Sequence, residues 1–135
     1  MKRLIISLVI LLVSSMSASV YAEVVYTGTI GEYKVHMVLD ENYEGYYYYD
    51  HRPQSRFALV KTQESECDEC WHCVHITLQE YTPGTNKNTG EFVGKYSFCK
   101  DSGIAIMLIE GTYRNKTTGK TLPFDVSDYY TYELY

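Results

Sequence analysis

Apolar and polar residues alternate along most of the chain, and a period of two predicts β-strands. The alternation is clearest over residues 33–39 and 74–78, where every second side chain is apolar. Less regular stretches predict further strands at 46–49, 57–60, 92–98, 104–109, 121–126 and 129–135. Turn-forming sequences separate these stretches, such as Thr82-Pro83-Gly84-Thr85-Asn86. Helical periodicity is almost absent, so the sequence predicts an all-β protein.

About eight short strands separated by regular turn signals predict a single antiparallel domain, either a small barrel or a sandwich. The segment 104–109 is nearly all apolar, which predicts a strand buried on both faces. The segment 61–69 is acidic, polar and without period, which predicts a long exposed loop. The predicted core consists of Tyr33, Val35, Met37, Leu39, Val74, Ile76, Leu78, Ile104, Ile106 and Leu108.

The first 22 residues have the three parts of a secretory signal peptide. Lys2 and Arg3 are followed by an apolar core from 4 to 13 and by small residues that end at Ala22. The apolar core is too short to span a bilayer, which needs about 20 residues. We therefore expect cleavage near Ala22 and a single domain over residues 23–135. The mature protein is expected to be periplasmic or secreted, with no membrane span.

The balance of charge is acidic, and it argues against partners that need basic surfaces. The 135 residues include 12 basic and 17 acidic side chains, for a net charge of -5, and removal of Lys2 and Arg3 lowers it further. Nucleic acids and anionic membrane surfaces attract basic patches. The expected partner is therefore another envelope or extracellular protein, and not a nucleic acid.

Five short motifs follow one another along most of the chain: Gly45-x-Tyr47-x-Tyr49, Leu78-x-Glu80, Thr89-Gly90-x-Phe92-x-Gly94, Gly111-x-Tyr113 and Pro123-Phe124. This order resembles that of a class of small exported bacterial proteins of unassigned function. The resemblance implies an antiparallel β fold and a location in the cell envelope, and it supplies no catalytic residues. The chain differs from the class at Tyr113, where the class has tryptophan, and in its cysteine-rich insert.

Four cysteines, Cys67, Cys70, Cys73 and Cys99, make up the cysteine content of the chain. Their spacing, with two histidines interleaved, suits a tetrahedral zinc site, but an even count in an oxidising compartment favours two disulfides. Three connectivities are open. We favour Cys73 with Cys99, which would tie neighbouring strands, and Cys67 with Cys70, which would close a tight loop.

Fifteen tyrosines are the strongest oddity of the composition, and Tyr46, Tyr47, Tyr48 and Tyr49 form the densest run. On a strand, two of these rings face the core and two face outward. Outward tyrosines are common at the centres of protein interfaces, although tyrosine is also simply a good strand former. The predicted binding site is this run together with Asp50 and Glu44.

The titratable residues form no recognisable catalytic set. Glu80 and Glu110 both end predicted strands and would make a carboxylate pair if they faced each other, but we favour two solvated strand ends. No phosphate loop, metalloprotease helix or nucleophile elbow is present, so the sequence predicts neither an enzyme nor a cofactor.

Three functions remain open at this point. The favoured one is a non-catalytic protein-binding domain, such as an inhibitor or immunity protein against a cell-envelope hydrolase. The first alternative is a barrel that carries a small ligand in its interior. The second is a metal or redox module built on residues 67–75.

Overall fold

The computed structural model describes residues 23–131, apart from the side chains at 101, 130 and 131. The predicted signal peptide, residues 1–22, lies outside the described residues. Within them the chain forms eight strands: β1 Val24–Ile30, β2 Tyr33–Leu39, β3 Gly45–Tyr49, β4 Phe57–Glu66, β5 His72–Tyr81, β6 Asn88–Asp101, β7 Ile104–Asn115 and β8 Thr121–Thr131.

The strands form one closed antiparallel barrel, in which each strand pairs with the next along the chain and β1 pairs with β8. The all-β prediction is confirmed, and of the two predicted architectures the barrel is observed. The turns alternate between the two ends of the barrel. We call the end with Tyr33 and Tyr49 the tyrosine end, and the end with the four cysteines the disulfide end.

The barrel interior is filled by the inward residue of each alternating pair. Val35, Met37 and Leu39 of β2 are buried as predicted, and so are the three predicted core residues of β5. Burying one such side chain contributes about 1.5–3 kcal/mol relative to leaving it exposed. The largest fully buried side chains are Tyr47, Phe92, Ile30, Met37, Leu39, Leu59, Leu78 and Ile109.

The core prediction is wrong for three residues and half right for a fourth. Ile104 and Ile106 remain 41% and 44% exposed, and Leu108 is half-buried. These even-numbered residues of β7 face outward, because its inward positions are held by Ala105, Met107 and Ile109. In a barrel only the inner face of each strand is covered by the core. No second layer covers the outer face, so β7 is not buried on both faces. Tyr33, 55% exposed, begins β2 at the rim.

The segment 61–69 was predicted to be a loop, but most of it belongs to β4. That strand continues to Glu66 and pairs with β5, where Glu66 lies opposite Val74. A register shift between Lys61 and Gln63 marks a β-bulge along the way. Residues 62–66 are all exposed, which explains why their polar sequence carries no period of two.

This longer strand also corrects the disulfide pairing. All four cysteines are bonded, as predicted, but the bridges are Cys67–Cys73 and Cys70–Cys99, with Cα–Cα distances of 5.1 and 5.0 Å. Continuation of the β4–β5 ladder places Cys67 beside Cys73, and the Cys67 amide donates to the Cys73 carbonyl at 3.1 Å. Cys70 lies in the loop with a positive φ of 53° and reaches Cys99.

The seam between β1 and β8 closes the barrel through a short ladder. Thr27–Ile30 pair with residues 124–127, so strands from opposite ends of the described chain meet here. Gly28 lies within this ladder, and a Cβ atom on it would come within 1.9 Å of the Asp125 carbonyl oxygen. The backbones approach so closely at this point that only glycine fits.

Candidate functional site

The predicted tyrosine run forms β3, and its four rings alternate between the two sides of the wall. Tyr47 is fully buried in the barrel, and Tyr49 packs against it with ring centroids 5.7 Å apart. Tyr46 and Tyr48 are half-buried on the outer wall, with ring centroids 6.4 Å apart and planes 22° from parallel. The run therefore contributes to two different places.

The outer rings belong to a row of stacked side chains that we call the outer tyrosine strip: Arg56, Tyr46, Tyr48, His36 and Asp50. The Arg56 guanidinium lies 4.6 Å from the Tyr46 ring centroid, a cation–π distance. The His36 ring stacks on Tyr48 at 5.1 Å and hydrogen-bonds to Asp50 at 2.7 Å. These contacts hold the two tyrosines in fixed orientations on the surface.

The two carboxylates predicted beside the tyrosines lie at opposite ends of β3. Asp50 follows the strand at the tyrosine end, and its hydrogen bond from His36 lowers the pKa of its carboxyl. Glu44 precedes the strand at the disulfide end, where its carboxylate accepts the Lys61 backbone amide at 3.0 Å. Asp50 thus belongs to the strip, whereas Glu44 satisfies the backbone of β4.

A buried carboxylate lies inside the barrel near the tyrosine end. Glu80 is 2% exposed, so the expectation of a solvated strand end is wrong for it. The Tyr113 hydroxyl donates to Glu80 Oε1 at 2.6 Å, and the Tyr47 hydroxyl donates to Oε2 at 3.0 Å. Glu110 is exposed on the outer wall, so the two carboxylates do not form a pair.

The environment of Glu80 opposes its ionisation. Burial raises the pKa of the Glu80 carboxyl, while hydrogen bonds from Tyr113, Tyr47 and Thr89 lower it by less, so the pKa stays above its ordinary value. Burial also raises the pKa of Tyr47, and the neighbouring carboxylate adds to that effect. The cluster is a network of buried polar groups that satisfy one another.

Space for this cluster comes from Gly90, where a Cβ atom would lie 2.0 Å from Glu80 Oε1. Tyr47, Glu80, Gly90 and Tyr113 each belong to a different one of the five short motifs in the sequence. The motifs are far apart in sequence but meet at this one place, and that convergence is the signal that sequence analysis missed.

An open pocket of about 500 Å³ lies above this cluster at the tyrosine end. We call it the mouth pocket, and its lining is Tyr33, Tyr49, His51, Arg52, Ser55, Phe57, Thr82 and Pro83. The rings form its walls: Tyr49 lies edge-on to both Tyr33 and Phe57, with centroids 6.1 and 6.2 Å away. Its volume is within the range of about 300–1,000 Å³ typical of small-ligand sites.

Hydrogen bonds connect the wall of the mouth pocket to the buried carboxylate. The Thr82 hydroxyl donates to the Thr89 hydroxyl at 2.9 Å, and Thr89 in turn hydrogen-bonds to Glu80. Tyr49, on the opposite wall, packs against Tyr47, which also contacts Glu80. The interior thus fixes the shape of the pocket.

The cysteines at the disulfide end are not arranged as metal ligands. All four sulfur atoms are bonded in pairs, and residues 23–131 contain no group of three or more His, Cys, Asp or Glu side chains arranged to hold a metal ion. The two bridges are consistent with an oxidising compartment.

No protein-family model, curated protein or solved structure matches this chain. Across residues 23–131, no helix has the length and apolar character needed to cross a bilayer.

Proposed function

We propose that this chain is an exported, non-catalytic protein that binds another protein through its outer tyrosine strip. The observation that carries the proposal is the row in which Arg56 and His36 hold Tyr46 and Tyr48 on the outer wall. Rigid aromatic side chains lose little conformational freedom on binding, and buried aromatic anchors carry much of the energy of protein interfaces.

The proposed location is the periplasm or the extracellular space, after cleavage near Ala22. The predicted signal peptide and the two disulfides support this location. Edman sequencing of protein secreted by its own host tests the proposal directly. A mature chain that begins at Glu23 would support it, and a chain that retains Lys2 and Arg3 would contradict it.

The proposed partner is a basic cell-envelope hydrolase, which this chain would inhibit or neutralise. The acidic charge of the chain, -5 before Lys2 and Arg3 are removed, favours rapid encounter with a basic partner.

The interior of the barrel bears on the small-ligand alternative. The described strands fill it with side chains such as Tyr47, Phe92 and Met37, which leaves the mouth pocket as the place for a ligand. The metal or redox alternative would first require reduction of the bridges, so we do not favour it.

The test uses surface-immobilised protein and a panel of purified basic cell-wall hydrolases, with hydrolase activity as a second readout. Three proteins are compared: the unmodified chain, Tyr46→Ala/Tyr48→Ala, and the control Tyr129→Ala. Tyr129 is 68% exposed on another part of the outer wall. We expect the double variant to dissociate at least about 30-fold faster, because interface anchors carry about 2 kcal/mol or more each.

The control variant should bind like the unmodified chain, and high salt should slow association for all three proteins. Circular dichroism of each variant verifies that the barrel is intact. If the double variant does not fold, Tyr48→Ser takes its place. Binding that survives loss of both rings in a folded variant, or absence of binding to every hydrolase at low salt, would reject the proposal.

A further inference from the structure

The mouth pocket combines aromatic walls with an unusual local charge. None of its eight lining residues is acidic, although the whole chain is. Arg52 lies on its rim, and within residues 23–131 the guanidinium of Arg52 forms no ion pair. The nearest carboxylate in sequence, Asp50, is engaged by His36 on the outer wall. Among the described residues, the pocket therefore has a cation without an ion-pair partner.

The polar groups of the lining are suited to an anion with an apolar body. The planar guanidinium donates a fork of hydrogen bonds that matches a carboxylate. Ser55 adds a hydroxyl group to the lining, and Tyr33, Tyr49 and Phe57 supply ring surfaces for stacking. Aromatic walls alone also suit a cationic ligand, but Arg52 at the rim repels one.

We propose that the mouth pocket binds a carboxylate carried on an aromatic or apolar body about the size of one amino-acid residue. The carboxylate pairs with Arg52, and the body packs between Tyr33 and Phe57 above Tyr49. Such a group occurs in a free aromatic acid and at the C-terminal residue of another polypeptide. This site is separate from the outer tyrosine strip, so its test does not depend on the proposed protein partner.

The test measures binding to the full domain by isothermal titration and by two-dimensional NMR. The probes are N-acetyl-L-phenylalanine, its uncharged amide, the cation phenethylamine, and a short peptide ending in phenylalanine with a free or an amidated C-terminus. We expect both free carboxylates to bind and to shift the resonances of Tyr49 and Phe57, with both amides at least about 10-fold weaker.

Two variants that remove one positive charge each provide the matched comparison. Arg52→Gln removes the proposed partner of the carboxylate, and Lys120→Gln removes an exposed charge from a turn at the same end of the barrel. We expect Arg52→Gln to lower affinity for the free acids about 10-fold or more and to leave the amides unchanged. Lys120→Gln should alter neither, and Tyr46→Ala/Tyr48→Ala should retain full affinity.

The outcomes separate the sources and the competing chemistry. Tight binding of the free acid alone assigns the site to small acids, whereas tighter binding of the peptide assigns it to a polypeptide terminus. Equal affinity for acid and amide, preference for phenethylamine, insensitivity to Arg52→Gln, or no binding at millimolar concentration would each overturn the proposal. NMR spectra of the free variants verify that Arg52→Gln leaves the fold intact.

Discussion

The two ends of the barrel are stabilised by different means. At the tyrosine end, Glu80 accepts hydrogen bonds from Tyr47 and Tyr113 within a buried aromatic cluster. At the disulfide end, the outer half of β4 is exposed on residues 62–66, and covalent bridges hold the loop that follows. Covalent bonds thus lie beside the exposed part of β4, and hydrogen bonds lie where burial makes them strong.

The largest expected effect follows from removing the buried carboxylate. Glu80→Ala leaves the Tyr47 and Tyr113 hydroxyls without an acceptor and opens a cavity. We expect a loss of about 4 kcal/mol in the free energy of unfolding, measured by urea denaturation. The control Glu110→Ala changes the same residue type on the outer wall and should cost less than about 0.5 kcal/mol. Similar losses in the two variants would mean that the cluster does not stabilise the tyrosine end.

The next effect compares the two bridges at the disulfide end. Cys70–Cys99 spans 29 residues and Cys67–Cys73 spans six. Loop entropy predicts losses of about 3.6 and about 2.2 kcal/mol when each pair is replaced by serine. Urea denaturation of both double variants gives the order, after peptide mapping verifies the remaining bridge. A larger loss from the short bridge would show that loop entropy does not govern this end.

A smaller effect isolates one hydrogen bond of the tyrosine end. Tyr113→Phe removes the hydroxyl that donates to Glu80 at 2.6 Å and keeps the ring that packs on Phe92. We expect a loss of about 1.5–3 kcal/mol if Glu80 is ionised and about 1 kcal/mol if it is neutral. The control Tyr129→Phe, at an exposed ring, should change the stability by less than about 0.5 kcal/mol. Equal values for the two variants would contradict the role assigned to Tyr113.

The smallest expected effect is a dependence of the free energy of unfolding on pH. It is measured as the difference between the stability curves of the unmodified protein and of a Glu80 variant. Because the pKa of Glu80 is raised in the folded state, that state binds more protons than the unfolded one between the unfolded pKa, about 4.3, and the folded pKa. The contribution of Glu80 to stability is therefore complete below the unfolded pKa and is lost as the pH rises through the folded pKa. Glu80→Gln should remove this decline from the stability curve, and Glu110→Gln should leave it. A decline of the same slope in Glu80→Gln would assign it to another group.

Alternation along the sequence predicted the fold class correctly, but two of the eight strands were assigned to the wrong residues. The predicted strand at 129–135 is, in its described part, the end of β8, and β1 was not predicted at all. In β1, Val25 lies outward and Gly28 inward, so the strand lacks the regular alternation seen in β2. The count of eight thus agrees although two assignments differ.

The candidate site was harder to predict, because its chemistry depends on which side of a strand a residue faces. Alternation correctly divides Tyr46–Tyr49 into two pairs. Continued to residue 80, the alternation of β5 also places Glu80 on the inward face with Ile76 and Leu78. The prediction set this aside because a carboxylate at the end of a strand is usually solvated. The predicted disulfide pairing was wrong for a related reason. β4 continues through residues 62–66, which are exposed on both faces of the strand, so their sequence has no period of two.

The meander order of the strands gives Gly28 an importance beyond local packing. Every other strand pairing in the described barrel joins strands that are consecutive in sequence. The β1–β8 seam alone joins the first of the eight strands to the last. A side chain at Gly28 would separate these strands and convert the closed wall into a sheet with two unpaired edges. Unpaired edges recruit strands from other molecules. The absence of a side chain at Gly28 therefore keeps the edges of β1 and β8 paired with each other.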